Sequence, residues 1–453
     1  MGEQETSLRV LMLPWLAHGH ISPFLHLSKK LINRNIFIYF CSTPVNLNTI
    51  KKKVDNFSQS IELVELHLPS LPDLPPNQHT TNGLPPHLIP TLHMAYSLSK
   101  EKMSNTVKNL KPDVVICDAS QPWVEGVVLS LGIPCCFFNT SSAVTVSYFS
   151  NLLSGAGVEY PYPEIFVREY EMAAIHAIIA QKDSLSRTRN NDDEGKECLS
   201  RESCNVVFVK TFEEIEGKYI KYLGQLSKMK VIPVGPLVED VVDNDDTDAE
   251  ILEWLNEKNP CSTVFVSFGS EYFLSNKDME EIAQGLELSN VNFIWVVRFT
   301  AGEKHSLEDV LPKGFKERVR DRGIIVEGWA PQAKILKHSS VGGFVTHCGW
   351  NSILESMKLG VAIVATPMQL DQYFNARLVV DLGVGKEVVR DIEGRLQREE
   401  VAKVIREVVV ENIGENVREK AKELSKCMRD KGDEEIDDVV EELFQVCGKS
   451  KQI

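Results

Sequence analysis

The sequence lacks an apolar run of membrane-spanning length. No stretch of about 18 or more residues is predominantly apolar, so we expect no transmembrane helix. The first residues, MGEQETS, also lack the basic segment that opens a secretory signal peptide. Basic residues are outnumbered, with 49 Lys and Arg against 64 Asp and Glu and a net charge of -15. Because nucleic-acid binding needs a basic surface, we expect no nucleic-acid partner.

Cysteine is too sparse for a disulfide-stabilised domain. The 453 residues include 10 cysteines, which form no C-x-x-C pair. Cys135 and Cys136 are adjacent inside an apolar run, which favours buried, reduced thiols. We therefore expect a cytoplasmic protein. We also expect it to act as a monomer without stable membrane insertion.

Short apolar runs alternate with stretches of helical periodicity along most of the chain. This alternation is typical of parallel sheets covered by helices, and it restarts after about residue 250. Ser22 and Pro23 indicate the start of the first helix. Strands are expected at Val10–Leu16, Ile36–Cys41, Val114–Cys117, Pro134–Phe138, Val206–Val209, Thr263–Phe268, Phe293–Val297, Gly323–Val326, Gly343–Thr346 and Val361–Thr366.

The restart predicts two α/β domains joined by an acidic linker. Residues 1–237 form the expected first domain, and residues 238–250 are Asp-rich and contain few apolar side chains. Residues 251–430 form the expected second domain. A helix within 431–453 is expected to pack on the first domain.

The segment WAPQAKILKHSSVGGFVTHCGWNSILESMKLGVAIVATPMQLDQ, residues 329–372, carries an anion-binding pattern. An expected strand ends at His347, a glycine follows, and a helix begins near Trp350. Free N–H groups and the helix dipole at such a turn favour phosphate. Taken alone, the same turn is equally explained by a packed core histidine.

The whole segment closely resembles the signature sequence of the plant family 1 UDP-dependent glycosyltransferases. The resemblance extends from the HGHISP loop to the C-terminal helices. It implies the GT-B fold, in which two Rossmann-like domains face each other across a cleft and helices close the chain. It also implies an inverting transfer that uses a UDP-sugar co-substrate, no metal and no other cofactor. Asp243-Asn244-Asp245 has the D-x-D form of metal-dependent transferases, but it lies in the acidic linker, so we interpret it as solvated.

The resemblance also implies donor contacts for the residues that match the family's motif. The nucleoside contacts are expected from Trp329, Ala330 and Gln332, with Glu355 at the ribose. The diphosphate contacts are expected from Ser270, His347, Asn351 and Ser352. The sugar contacts are expected from Thr140, Trp350, Asp371 and Gln372. Trp350 and Gln372 resemble the residues of glucose users, so UDP-glucose is the expected donor.

His20 and Asp118 form the expected catalytic pair. A neutral histidine can take the proton of a poorly nucleophilic hydroxyl, and a carboxylate on its other nitrogen would fix the tautomer. Asp118 follows an expected strand, so its carboxylate should emerge at the same sheet edge as the HGHISP loop. The family's base matches His20, although His18 is also present. Taken alone, an aspartate at the position of Asp118 is more often a helix cap after a strand.

The first domain is expected to bind the acceptor. Segments such as LHLPSLPDLPPNQHTTNGLP resemble the branch that adds a sugar to a sugar already attached to a natural product. This favours glucose transfer to a plant glycoside, with a β-1,6 link over a 1,2 link. A bare aglycone acceptor and a non-catalytic UDP-sugar binder are the alternatives. Acceptor contacts are expected from Trp15, His79–Pro85, Trp123 and Phe138–Ser141, although packing or turn chemistry explains most of them at least as well.

Overall fold

The computed structural model describes residues 8–154, 158–176, 205–239, 249–269, 272–299, 307–431 and 433–449. These residues form two compact units. The first takes in the described residues of 1–158, 181–237 and 433–453, and the second takes in those of 159–180 and 238–432. Ser270 and Asp243-Asn244-Asp245 lie outside the described residues. Within the described ranges, no helix has the length and apolar character needed to span a membrane.

The first unit contains a parallel sheet in the order β3-β2-β1-β4-β5-β6-β7. Its strands are β1 Arg9–Leu13, β2 Phe37–Ser42, β3 Ile61–Glu65, β4 Val114–Asp118, β5 Cys135–Asn139, β6 Val206–Val209 and β7 Lys230–Pro233. Its helices are α1 His18–Ile32, α2 Pro44–Val54, α3 Ile89–Ser97, α4 Lys100–Leu110, α5 Trp123–Leu129, α6 Ala143–Leu153 and α7 Glu213–Ser227.

Both faces of this sheet are buried, because alternate residues of each central strand point to opposite sides. In β1, Val10 and Met12 join one hydrophobic cluster. Leu11 and Leu13 join the other. The strand order reverses between β1 and β4, where Leu13 pairs with Cys117. In open parallel sheets, ligands bind beyond the carboxyl ends of the strands at such a reversal.

The second unit repeats this plan with a parallel sheet in the order β10-β9-β8-β11-β12-β13. Its strands are β8 Thr263–Ser267, β9 Asn292–Val297, β10 Gly323–Glu327, β11 Val341–Thr346, β12 Ile363–Ala365 and β13 Gly385–Glu387. Its helices are α8 Ala249–Asn256, α9 Asn276–Ser289, α10 Leu307–Val310, α11 Phe315–Val319, α12 Gln332–Lys337, α13 Trp350–Leu359, α14 Gln372–Asp381, α15 Arg398–Val409 and α16 Asn412–Asp430. The order reverses between β8 and β11, where Ser267 pairs with Thr346.

Helix α17, Glu434–Val446, belongs to the first unit although it is the last helix of the described chain. Its apolar side, which includes Ile436 and Leu443, joins the same hydrophobic cluster as β1. Lys30 and Arg34, near the end of α1, both pair with Asp433 just before α17. Apolar packing and these ion pairs therefore join α17 to the helix that begins at His18.

Residues 159–176 belong to the second unit, although they precede β6 of the first unit in sequence. Glu171 is fully buried and accepts two hydrogen bonds from the Arg377 guanidinium, at 2.6 and 2.7 Å. Arg377 also donates to Glu387 at 2.7 Å, and Arg168 donates to both carboxylates. This network attaches the segment to α14 and β13, and periodicity along the chain does not reveal it.

The predicted α/β class with two parallel sheets is confirmed, and each predicted strand is found within a few residues of its expected position. The predicted start of the first helix is wrong. Helix α1 begins at His18, because the Ala17 carbonyl already accepts from the N–H groups of His20 and Ile21 at 3.0 and 2.9 Å. Pro23 lies within the helix, past its first turn.

Candidate active site

The first unit has a candidate site where β1 and β4 end. His20 is in the first turn of α1, and Asp118 is the last residue of β4. The Nδ1 atom of His20 lies 2.8 Å from Oδ2 of Asp118. The structure therefore brings together the two residues that the sequence predicts as a catalytic pair, while the neighbouring His18 is exposed.

Asp118 is buried, with only 2% of its side chain exposed. Burial opposes its ionisation, but attraction to His20 and hydrogen bonds from His20 and Ser120 outweigh burial and lower the pKa of Asp118. Ser120 donates to Oδ1 through its N–H and its hydroxyl, at 2.9 and 2.6 Å. The Trp15 N–H donates to Oδ2 at 3.1 Å. The carboxylate is therefore ionised and surrounded by donors.

These contacts fix the tautomer of His20. An ionised carboxylate can only accept hydrogen bonds, so the proton of the neutral imidazole lies on Nδ1. Nε2 then carries the lone pair and can accept a proton. The side chain of His20 is 26% exposed, so a small molecule can approach it. The pair can act as a general base with a carboxylate behind it.

Thr140 makes a contact that the sequence does not predict. Its hydroxyl oxygen lies 3.1 Å from Nδ1 of His20, the same nitrogen that donates to Asp118. Thr140 follows β5, which lies next to β4 in the sheet. The three side chains therefore come from three neighbouring strand ends. The spacing of residues along the chain could not predict the contact between Thr140 and His20, because 120 residues separate them.

An aromatic cluster lies beside the pair. The Trp15 ring stacks on His93 with ring centroids 4.1 Å apart, and Tyr96 packs edge-on against both Trp15 and Trp123. Trp123 donates to Gln121 at 3.1 Å. Of the predicted acceptor residues, Trp15 therefore contacts Asp118 through its backbone N–H. The residue is only 6% exposed, and its ring packs in the aromatic cluster.

Two other predicted acceptor segments also lie near this sheet edge. Thr81 N–H donates to the Leu16 carbonyl at 2.9 Å, which ties the segment His79–Pro85 to the loop after β1. Within that segment, His79 and Thr80 are buried. Phe138–Ser141 includes the end of β5, where Phe138 is a core residue and Asn139 accepts from the Ser141 N–H at 2.9 Å. Turn chemistry thus accounts for Asn139.

The second unit has a candidate site of its own where β8 and β11 end. His347 directly follows β11, between Gly269 and Gly349. A Cβ added at Gly269 would lie 2.5 Å from Cε1 of His347, and one added at Gly349 would lie 2.7 Å from Nε2. Only glycine leaves room for the imidazole at these positions. Burial lowers the pKa of His347 to about 4, so the ring is neutral at pH 7.

Helix α13 begins directly after this histidine. Cys348 adopts a left-handed backbone conformation with φ of 68°, and Gly349 is the N-cap of α13. This is the predicted strand–turn–helix, with Asn351 and Ser352 in the first helical turn. The positive end of a ten-residue helix and its N–H groups suit an anion such as a phosphate. Non-glycine residues in this conformation are uncommon and cluster at functional sites.

The expected nucleoside contacts lie around α12 and α13. Gln332, the first residue of α12, donates to Glu355 at 2.5 Å. Trp329 is 74% exposed, which is unusual for so large an apolar side chain. The neighbouring Ala330 is buried, and its carbonyl accepts from the Gln332 N–H at 2.8 Å. A flat exposed ring and a pre-oriented carboxylate can bind a base and a diol.

Two of the expected sugar contacts, Asp371 and Gln372, lie at the start of α14. Asp371 is its N-cap, and Leu370 before it has a left-handed φ of 52°. The buried Gln372 accepts from the N–H groups of Met368 and Gln369, both at 3.0 Å. Its amide oxygen therefore shapes the turn, and its Nε2 is the atom suited to donate to a sugar hydroxyl. Trp350 is 4% exposed at the start of α13.

Comparison with known proteins agrees with this geometry. The family described as UDP-glucoronosyl and UDP-glucosyl transferase matches residues 233–442, and the family described as Glycosyltransferase, N-terminal domain, matches residues 6–239. The chain is 50% identical to the beta-D-glucosyl crocetin beta-1,6-glucosyltransferase of Gardenia jasminoides over 97% of this chain and 99% of that protein. It is 51% identical to a mogroside IIIx synthase of Siraitia grosvenorii over 97% and 93% of the two chains.

A solved structure supports the same assignment. The UDP-glucosyltransferase from Polygonum tinctorium capable of glucosylating indoxyl aligns with a TM-score of 0.79 and 25% identity, over 99% of this chain and all of that chain. The resemblance seen in the sequence is confirmed, and with it the GT-B fold. The chain therefore belongs to the plant family 1 UDP-dependent glycosyltransferases, and it is a UDP-glycosyltransferase.

Proposed function

We propose that this enzyme transfers glucose from UDP-glucose to a hydroxyl of a sugar already attached to a plant natural product, and that the new link is β-1,6. The observation that carries this proposal is the 50% identity, over nearly the whole chain, to an enzyme named for adding glucose to beta-D-glucosyl crocetin in a beta-1,6 link. A 1,2 link is the alternative that the linkage analysis below must exclude.

The first unit supplies the base. The acceptor oxygen attacks the anomeric carbon of glucose while Nε2 of His20 takes the hydroxyl proton. The bond from that carbon to the diphosphate oxygen breaks, and UDP leaves with the bonding electrons. Asp118 stabilises the imidazolium that forms, at 2.8 Å from Nδ1. A single displacement of this kind inverts the anomeric carbon.

The second unit holds the donor. The N-terminus of α13, with Asn351 and Ser352, receives the charge that grows on the diphosphate as UDP leaves. His347 is neutral at pH 7 because burial lowers its pKa to about 4, so it donates one N–H to a phosphate oxygen without adding charge. Ser270 is proposed as a further phosphate contact on the strength of the family resemblance.

The remaining donor contacts hold the nucleoside and the sugar. Trp329 stacks on uracil beside Ala330, and Glu355, held by Gln332, accepts from the ribose hydroxyls. Asp371 and Gln372 bind the glucose hydroxyls, with Trp350 and Thr140 as further sugar contacts. Trp350 and Gln372 support glucose as the transferred sugar.

The enzyme is proposed to act as a cytoplasmic monomer that needs no metal. The cysteines of the described part of the chain carry free thiols, and most of them are buried. Free thiols support a reducing compartment.

The test uses paired acceptors. Purified enzyme is incubated with UDP-glucose and either a flavonol or its monoglucoside, and products are quantified by mass spectrometry. Faster turnover of the monoglucoside, with a 1,6 link read by NMR, is the expected result. Faster turnover of the bare aglycone would refute the glycoside assignment.

A His20→Ala variant serves in the same assay. It should lose nearly all transfer while its affinity for UDP stays close to that of wild type. Wild-type enzyme that binds UDP-glucose but transfers glucose to neither acceptor would instead indicate a non-catalytic binder.

A further inference from the structure

The loop between β5 and α6 presents Thr140 to the base. Thr140 lies 3.1 Å from Nδ1 of His20, so the position of this loop affects the imidazole directly. Within the loop, Asn139 accepts from the Ser141 N–H through its side chain and from the Lys210 N–H through its carbonyl, both at 2.9 Å. The loop is therefore fixed at its β5 end by the next strand.

A buried carboxylate from another helix fixes the other end of the loop. Glu216 lies on α7 and is 0% exposed. Its Oε2 accepts from the Ala143 N–H at 2.9 Å, and its Oε1 accepts from the Val144 N–H at 2.7 Å. These are the first two residues of α6, whose N–H groups have no partner within the helix. Glu216 thus holds the helix at the point where the Thr140 loop ends.

Capping alone does not require this arrangement. Ser142 is already the N-cap of α6, and its side chain accepts from the Thr145 N–H. Burying a carboxylate costs free energy, and burial raises the pKa of Glu216 to about 7. Glu216 on α7 is thus a second cap whose burial costs free energy. A need to fix the position at which α6 begins explains it better than a need to stabilise the helix.

We propose that Glu216 is a positioning residue for the transfer reaction: it sets the start of α6, and so holds the Thr140 hydroxyl against Nδ1 of His20. The inference rests on the proposed function, in which His20 is the base. Glu216 holds Ala143 and Val144, and the loop 139–142 directly before them carries Thr140, which contacts the imidazole. We therefore expect Glu216 to act through Thr140. Glu216 itself touches no substrate.

The decisive variant is Glu216→Gln. A glutamine amide has one acceptor oxygen, so its NH2 group must face either the Ala143 or the Val144 N–H, and α6 shifts. At pH 8, where the wild-type carboxylate is ionised, we expect kcat to fall about tenfold, because small displacements of a catalytic group are costly. The KM for UDP-glucose should change much less than kcat, since all the proposed donor contacts except Thr140 lie in the second unit and are untouched.

A double-mutant cycle tests the route through Thr140. Thr140→Val removes the hydroxyl and should lower kcat by a similar factor, while Thr140→Ser should retain most activity. If Glu216 acts through Thr140, the double variant loses about tenfold and not the hundredfold expected of independent sites. A multiplicative loss, or a Glu216→Gln enzyme with kcat within about twofold of wild type, would overturn the inference.

Glu442→Gln is the matched control. Glu442 is also a buried glutamate of the first unit, but it pairs with Lys230 at the amino end of β7, the opposite edge of the sheet. Its loss should leave kcat unchanged. If both glutamine variants lower kcat equally, the effect is general destabilisation and the inference is wrong.

A readout without substrate separates this inference from the proposed function. In enzyme labelled with ¹⁵N-histidine, the Nδ1 resonance of His20 should shift in Glu216→Gln and not in Glu442→Gln. If wild type transfers no sugar to a glycoside, the proposed function fails, but the resonance still reports whether Glu216 positions the imidazole. An unshifted resonance would overturn the positioning role even in an active enzyme.

Discussion

Replacing Asp118 by Asn tests the proposed base most directly. The substitution keeps the shape of the side chain and removes its charge. In the transfer step His20 becomes an imidazolium with its Nδ1 only 2.8 Å from Oδ2, so the two charge centres are about 4 Å apart. At an effective dielectric constant near 20, that attraction is worth about 4 kcal/mol. Each 1.36 kcal/mol changes a rate tenfold, so kcat should fall by about a factor of 10³.

The hydrogen bonds around Asp118 also predict a lower kcat for Asp118→Asn. Oδ2 accepts from His20 and the Trp15 N–H, and Oδ1 accepts twice from Ser120. An asparagine NH2 group therefore faces donors in either orientation. If it faces Ser120, two bonds are lost. If it faces His20, the imidazole must move its proton to Nε2, and the base loses its lone pair.

The assay is steady-state transfer with saturating UDP-glucose, with kcat and KM measured separately. The loss should lie in kcat, because Asp118 acts in the transition state and binds no donor. Asp113→Asn is the control. Asp113 lies just before β4, at the opposite end of the strand from Asp118, and accepts from the Arg9 N–H at 2.8 Å. A folded Asp118→Asn enzyme that keeps more than about a tenth of wild-type kcat would refute the electrostatic reasoning.

Three further predictions concern the second unit. The pKa of His347 is about 4 in the folded state and 6.5 in the unfolded state. The free energy of unfolding should therefore be highest above pH 6.5 and should fall by up to about 3 kcal/mol towards pH 4. Urea unfolding should show this loss in wild type and not in His347→Gln; equal losses would contradict it. Trp329→Ala should weaken UDP binding about tenfold or more by calorimetry. Its melting temperature should barely change, because the ring is 74% exposed; a large drop would point to a packing role instead. Arg377→Met removes two charged hydrogen bonds from the fully buried Glu171, which keeps its contacts with Arg168, and should cost about 2–3 kcal/mol in unfolding free energy. Arg318→Met breaks an exposed ion pair and should leave the unfolding free energy close to that of wild type.

The sequence predicts the central strands and the edge strand β10, but it misses the other three edge strands. Ile61–Glu65 and Lys230–Pro233 are the two edges of the first sheet, and Gly385–Glu387 is one edge of the second. Central parallel strands are buried on both faces and form continuous apolar runs, whereas edge strands carry charged residues and Pro. At these three edges, the continuous apolar run that identifies a buried strand in the sequence is therefore absent.

The same distinction separates predictable from unpredictable site residues. Asp118 could be placed near His20 because both follow neighbouring strands, and the ends of parallel strands converge at one edge. Glu216 could not, because it acts from the first turns of a helix on the backbone of another helix. Gly269 could not be linked to His347 either, since only the pairing of β8 with β11 brings the two together. Reactive groups can therefore be predicted from the local sequence pattern, whereas the residues that position them are revealed only by tertiary packing.

Each unit has a histidine at its own strand reversal, and the surroundings of the two histidines suit them to the opposite tasks that we propose. His20 follows β1 and donates through Nδ1 to an ionised, buried carboxylate, which prepares Nε2 to take a proton. His347 follows β11 between two glycines, where burial alone lowers its pKa to about 4 and keeps it neutral. An ionised partner suits a base that must become cationic, and burial between two glycines suits a donor that must stay neutral. The two histidines therefore occupy equivalent positions in the two sheets. The chemistry that each can perform depends more on the neighbours of the imidazole than on its place in the sheet.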